Sequence, residues 1–310
     1  MKIGFLFPGQ GVQTVGMGKD LYEKYPEYKE IYEKVNEITG QKIEDLTFNS
    51  IEEILSQTKN TQIAILTMSL AILEVLKKQN IHATATMGLS LGEYTALIHS
   101  GAISFQGGVK IVQKRGEIMQ ELCPAGEWSM AAIMGLDESA TTEICTKIKT
   151  GFVQPANFNC PGQIVISGEK VAVLEAIEKC KEAGAKKAIE LKTSGPFHTC
   201  KLKDASEALS KELEQVEIQE FNTKVIKNID GKPYEEQDDV KEILTKHIIN
   251  PVRFADGLQT MLDMGIDTFV EIGPGKTLSG FVKRTSKDVK IFNINDVETL
   301  ESTIGGLKDE

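Results

Sequence analysis

The apolar positions fall into short blocks whose spacing changes along the chain. Residues 2–7 form a strand-length apolar run that stops at Pro8-Gly9, and Gly9-Gln10-Gly11 reads as a turn. Residues 17–58 predict several short helices with polar faces. From 63 to 77, apolar residues cover nearly every side of a helix, which predicts a segment buried in the core. Residues 83–87 then predict a short strand running into Gly88-Leu89-Ser90-Leu91-Gly92, and 94–100 and 105–122 predict helices after it.

The middle of the chain has its own rhythm. Strands are expected at 128–136, 152–159, 163–167 and 186–191, with helices at 138–149 and 171–183. That βαββαβ order is the ferredoxin-like pattern. It is self-contained, so 127–192 is expected to be a small subdomain inserted in a larger one made of 1–126 and 193–310. The α/β alternation then resumes, with helices at 202–216, 240–249 and 255–264 and strands at 224–226 and 268–272. Gly273-Pro274-Gly275 follows, then a helix to about 284. The fold class is α/β: an α/β-hydrolase-like large subdomain carrying a ferredoxin-like small one.

Composition narrows the classes. The chain has 310 residues, 41% hydrophobic and 26% charged, which is ordinary globular composition. The formal net charge of −10 argues against nucleic acid, whose phosphates need a basic footprint. The five cysteines are odd in number and show no CxxC spacing, so neither structural zinc nor a disulfide framework is expected, and the thiols read as reduced and buried. No leader is seen, no stretch is expected to approach a membrane span, and the expected location is the cytoplasm.

The chemistry starts at Gly88-Leu89-Ser90-Leu91-Gly92, a G-x-S-x-G pattern between a strand and a helix. A nucleophilic serine must stand on a sharp turn, and small residues two before and two after permit that bend. The same turn aims the Leu91 N–H at the site, where it can stabilise an oxyanion. A plain glycine turn is the alternative. Serine needs a base, and there are only four histidines. His82 and His99 read as surface or capping residues. His198, in Ser194-Gly195-Pro196-Phe197-His198-Thr199, sits on a loop held by proline and an aromatic, which suits a base. No acid stands out to orient it, and a backbone carbonyl is the alternative. Arg115 lies among Ile111, Val112 and Ile118. Periodicity alone favours the solvated face; the other reading is a buried guanidinium that grips a carboxylate with two parallel hydrogen bonds.

Taken together and in order, Phe7-Pro8-Gly9-Gln10-Gly11, the elbow through Glu93, Arg115, Asn157-Phe158-Asn159, Gln163-Ile164-Val165-Ile166-Ser167-Gly168, Pro196-Phe197-His198, Asn250-Pro251-Val252-Arg253 and Glu271-Ile272-Gly273-Pro274-Gly275 closely resemble the malonyl-CoA:acyl carrier protein transacylase family. The resemblance spans nearly the whole chain. It implies Ser90 as nucleophile, His198 as base, the Gln10 and Leu91 amides as oxyanion hole, and Arg115 as the group that binds the malonyl carboxylate. It also implies that a backbone carbonyl near the asparagine-proline motif, at His247 or Asn250, orients the histidine. Two positions depart from the family: Leu89 stands where histidine is usual, and His247 where many members have glutamine. Leu89 and Phe197 are the expected specificity positions, with Phe197 crowding a methyl branch or serving simply as core packing.

The implied activity moves malonyl from malonyl-CoA to the phosphopantetheine thiol of an acyl carrier protein for fatty acid synthesis. Malonyl-CoA is a substrate, and no cofactor or metal is expected. The chain is expected to be a monomer with no nucleic-acid or membrane partner. Three rival readings are a transacylase serving a polyketide assembly line, a thioester hydrolase, and a binding protein that kept the fold. An acidic carrier on an acidic enzyme needs local positive charge, and Lys186, Lys187 and Lys192, or Lys283, Arg284 and Lys287, are the candidates.

Overall fold

A computed structural model describes residues 1–123, 126–191 and 195–308. In chain order its strands are β1 (Ile3–Phe7), β2 (Ala85–Gly88), β3 (Trp128–Met134), β4 (Val153–Cys160), β5 (Gln163–Glu169), β6 (Lys187–Leu191), β7 (Lys224–Ile226), β8 (Thr268–Ile272) and β9 (Lys290–Ile294). Five of them form a parallel sheet in the order β7-β2-β1-β8-β9. A parallel sheet needs both faces covered, and β1, β2 and β8 are buried almost throughout, Thr86 and Glu271 included.

The helix Thr58–Lys78 packs as a core helix, buried on nearly every side. Contrary to expectation, this stretch is long and apolar enough to cross a membrane, but 83% of its most apolar window lies inside the protein.

The remaining four strands form an antiparallel sheet in the order β4-β5-β3-β6. Ala131 and Ile133 of β3 face a small core shared with the helices Glu138–Lys147 and Lys170–Glu182. The alternate residues Met130 and Ala132 point the other way and line a cavity against the large sheet. This is the ferredoxin-like arrangement expected from the sequence. Its edges, near 126 and 192, lie beside residues 124–125 and 192–194, which are outside the described residues.

β9 and the helix Val297–Lys308 had no counterpart in the sequence reading. β9 is a half-exposed edge strand and lacks a full apolar run. The helix buries only Leu300, Thr303 and Leu307 and carries Gly305-Gly306, which lower helix propensity. The thiols also differ from expectation: Cys145, Cys160 and Cys180 are buried, but Cys123 is half-buried and Cys200 exposed.

Candidate active site

β1 and β2 run parallel with Phe7 opposite Gly88, so the two chains leave the sheet side by side at its C-terminal edge. One exit leads to Gln10, the other to Ser90. Ser90 takes φ 53°, ψ −103°, and the helix Leu91–His99 starts at the next residue, three earlier than expected. The flanking glycines are obligatory there. A Cβ on Gly88 would stand 1.8 Å from the Gly92 carbonyl carbon, and one on Gly92 would stand 2.1 Å from the Phe7 oxygen. Such a strained serine persists only where its surroundings over-determine it.

Ser90 Oγ lies 2.8 Å from His198 Nε2. His198 is buried, and its Nδ1 lies 3.1 Å from the His247 carbonyl oxygen. A carbonyl only accepts, so Nδ1 carries the proton and Nε2 offers its lone pair to the serine hydroxyl. The Asn250 amide donates to the same carbonyl at 3.3 Å, while its side chain turns away to Lys246 O at 2.8 Å. His198 also has positive φ, at 58°, so its loop is held as tightly as the elbow.

Burial holds the His198 imidazole well below its ordinary pKa, and positive charge at His247 and Arg115 adds to that, while the backbone carbonyls of His247 and Asn250 pull the other way. A lowered pKa keeps the imidazole neutral as pH falls. The acid limb of kcat/KM is therefore expected to lie below the unperturbed histidine value of about 6.5. A limb at or above that value in a pH–rate profile would contradict this environment.

Arg115 corrects the reading taken from periodicity. It is 1% exposed, because Gly108, Val112, Arg115 and Met119 form the inward stripe of the helix Phe105–Glu121. Its Nη1 donates to Gln62 Oε1 at 2.5 Å and its Nη2 to Ser90 Oγ at 3.1 Å. Nε has no hydrogen-bond partner among the described residues. Gln62 thus fixes one corner of the fork and leaves the Nε–Nη2 edge for a carboxylate. Gln62 was missed, although a polar residue on a core helix was the available signal.

These groups share a cavity of about 400 Å³ whose wall includes Gln10, Leu89, Leu91, Phe197, Asn157 and Asn159. Gln10 and Leu91 flank Ser90 there. Phe197 is buried and Leu89 half-buried, both facing the cavity. His99 is not a simple surface residue: its ring packs on Phe5 and Phe7, and burial pushes its pKa down to about 4. His82 is exposed. Among the described residues no cluster of side chains is fit to hold a metal.

Leu191, the last residue of β6, lines the cavity, while Lys186 and Lys187 are exposed at the other end of that strand and Lys192 lies outside the described residues. Thr277, Leu278 and Phe281 line the cavity from the helix Thr277–Thr285. Its exposed Arg284 donates to Gln163 Oε1 at 2.7 Å, and Gln163 is itself in the wall.

The model of the acyl transferase domain family matches residues 4–308. The chain belongs to that family. The malonyl CoA-acyl carrier protein transacylase of Bacillus subtilis (strain 168) is 45% identical over 100% of this chain and 98% of its own. A crystal structure of the transacylase of that name from Clostridium perfringens superposes with a TM-score of 0.96 at 45% identity, covering 100% of this chain and 98% of that one. A malonyl-transacylase in complex with a type II PKS acyl-carrier protein superposes at 0.95 with 34% identity, covering 99% and 100%. The family expected from the motifs is the family found, and the protein is an acyltransferase.

Proposed function

We propose that the protein transfers malonyl from malonyl-CoA to the phosphopantetheine thiol of an acyl carrier protein, supplying fatty acid synthesis, through a malonyl ester on Ser90. The observation that carries this reading is one oxygen with two partners. Ser90 Oγ is within reach of a neutral imidazole at 2.8 Å and of a buried guanidinium at 3.1 Å. The imidazole makes it a nucleophile, and the guanidinium selects an acyl group with an anionic end.

In the first half-reaction His198 Nε2 takes the Ser90 proton as Oγ attacks the thioester carbonyl. The Gln10 and Leu91 amides receive the developing oxyanion, aided by the positive end of the helix that begins at Leu91. The C–S bond breaks, and coenzyme A leaves with the proton from His198. The carrier thiol then gives its proton to His198, attacks malonyl-Ser90 and expels the serine oxygen, which is reprotonated. Every proton and charge is handled by the chain's own groups, so no cofactor is required. Arg115 engages the malonyl carboxylate through its Nε–Nη2 edge while Gln62 holds the far corner. Phe197 and Leu89 bound the space around the acyl carbon. Lys186, Lys187 and Lys192, or Lys283, Arg284 and Lys287, would steer an acidic carrier. The protein acts as a monomer in the cytoplasm.

The test mixes the protein with malonyl-CoA and either a fatty acid or a polyketide carrier bearing phosphopantetheine, and follows malonyl-carrier and free malonate. Malonyl-carrier forming faster with the fatty acid carrier is the expected result. A preference for the other carrier moves the enzyme to polyketide assembly. Malonate released at the same rate with and without carrier makes it a hydrolase.

A further inference from the structure

Ser90 and His198 come from segments far apart in the chain, yet they meet at hydrogen-bond distance. Beneath both lies a polar cluster that the reaction does not touch. Glu93, in the first turn of the helix Leu91–His99, is 0% exposed. Its Oε1 accepts from the Tyr234 hydroxyl at 2.8 Å and from the Asn228 amide at 3.3 Å. Its Oε2 stands 3.1 Å from His247 Nδ1. Oε2 accepts no hydrogen bond among the described residues, so this contact is electrostatic rather than aligned.

Asn228 carries the connection to the nucleophile. Its Oδ1 accepts from the Ser90 N–H at 2.7 Å, and its Nδ2 donates to the Gly88 carbonyl at 2.6 Å. One side chain thus clamps the elbow at the strained residue and two residues before it. The Asn228 carbonyl accepts from the Arg253 amide at 2.7 Å, tying the elbow to the segment after His247. His247 carries the connection to the base. Its carbonyl holds His198 Nδ1, and its ring lies 4.9 Å from the His198 ring, centroid to centroid. A buried carboxylate without donors is strongly disfavoured, and the two donors on Oε1, from Tyr234 and Asn228, hold this arm of the cluster in one geometry.

We propose that Glu93 is a positioning residue that sets nucleophile against base, holding the Ser90 elbow through Asn228 and backing the His247 segment whose carbonyl orients His198. The proposal rests on the roles of Ser90 and His198 given above. The titratable and charged groups around the pair are Tyr94 beside Glu93, Arg115 on the neighbouring helix, Tyr234 after β7, and His198 itself.

The experiment measures kcat and KM for malonyl-CoA in malonyl transfer for Glu93→Gln, His247→Gln, their double variant and Asn228→Ala. Glu93→Gln and Asn228→Ala are expected to lower kcat by about 10²-fold, the scale of a small misplacement of reacting groups, with KM little changed. His247→Gln keeps the backbone carbonyl that holds His198 and should cost less than either, and the double variant should lower kcat no further than Glu93→Gln alone. Should Glu93→Gln fail to fold, Asn228→Ala still decides, since it removes the elbow clamp and leaves the carboxylate in place. Unchanged kcat in Glu93→Gln and Asn228→Ala, or a loss that falls on KM alone, overturns the proposal. A wild type that neither becomes malonylated nor releases coenzyme A overturns the nucleophile assignment instead, and the two failures are distinct.

Discussion

Incubated with malonyl-CoA alone, the wild-type chain gains the mass of one malonyl group, and Ser90→Ala gains none. The expectation follows from the site being complete without the second substrate. Ser90 Oγ already faces a neutral Nε2 at 2.8 Å, and the amides proposed as oxyanion donors, of Leu91 and Gln10, belong to the same elbow and to the adjacent β1 exit. Nothing the carrier brings is needed to form the ester. Water competes for the ester, but it has neither the thiol's nucleophilicity nor the long arm that places it at the acyl carbon. The ester should therefore persist long enough to weigh. Losing the nucleophile from a cooperating set costs on the order of 10⁶-fold in kcat. His198→Ala should be nearly as damaging, because the serine hydroxyl keeps its proton at neutral pH. An adduct on Ser90→Ala would place the nucleophile elsewhere. No adduct on the wild type, with coenzyme A released, would mean that the ester hydrolyses faster than it accumulates.

Much of this was legible in the sequence, and the reasons differ by element. β1 was readable because a parallel strand buried on both faces shows as an unbroken apolar run, while β2 and β8, interrupted by Thr86 and Glu271, were readable with the glycine turns that follow them. The antiparallel insertion was readable because its alternation and helix spacing repeat in a known order. The elbow announced itself through Gly88 and Gly92, whose roles are local. Arg115 was harder. Its stripe with Gly108, Val112 and Met119 is a helical period, but a guanidinium on such a stripe contradicts the usual preference of charge for water. Only the surrounding protein, with Gln62 at one corner, resolves that conflict. Asn228, Tyr234 and the buried state of Glu93 left no local signal. Asn228 reaches Ser90 across a separation of 138 residues and Tyr234 reaches Glu93 across 141. Such pairings exist only once β7 has joined the sheet beside β2.

Arg115→Ala should abolish the preference for malonyl over acetyl by destroying malonyl transfer rather than by improving acetyl transfer. The guanidinium is fully buried, and its position is fixed before substrate arrives by Gln62 and by stacking over the Tyr94 ring at 5.3 Å. A malonyl carboxylate entering beside it replaces the Ser90 contact with a charge-assisted pair, and the Ser90 hydroxyl stays with His198. Acetyl offers no anion, so binding it leaves a buried cation without its counter-charge, which is costly. Removing the arginine reverses the cost: the malonyl carboxylate would then be buried unpaired. Truncating one partner of a buried charge pair costs about 2–5 kcal/mol. A loss of kcat/KM for malonyl-CoA of roughly 30- to 4,000-fold is therefore expected. Acetyl-CoA should change far less, since its acyl group never used the guanidinium. Arg115→Lys should recover little, because a single ammonium cannot present two parallel donors to the carboxylate. The measurement is kcat/KM for both thioesters on all three proteins. Equal malonyl rates in wild type and Arg115→Ala would remove Arg115 from substrate recognition. Its remaining role would then be the hydrogen bond it gives to Ser90 Oγ.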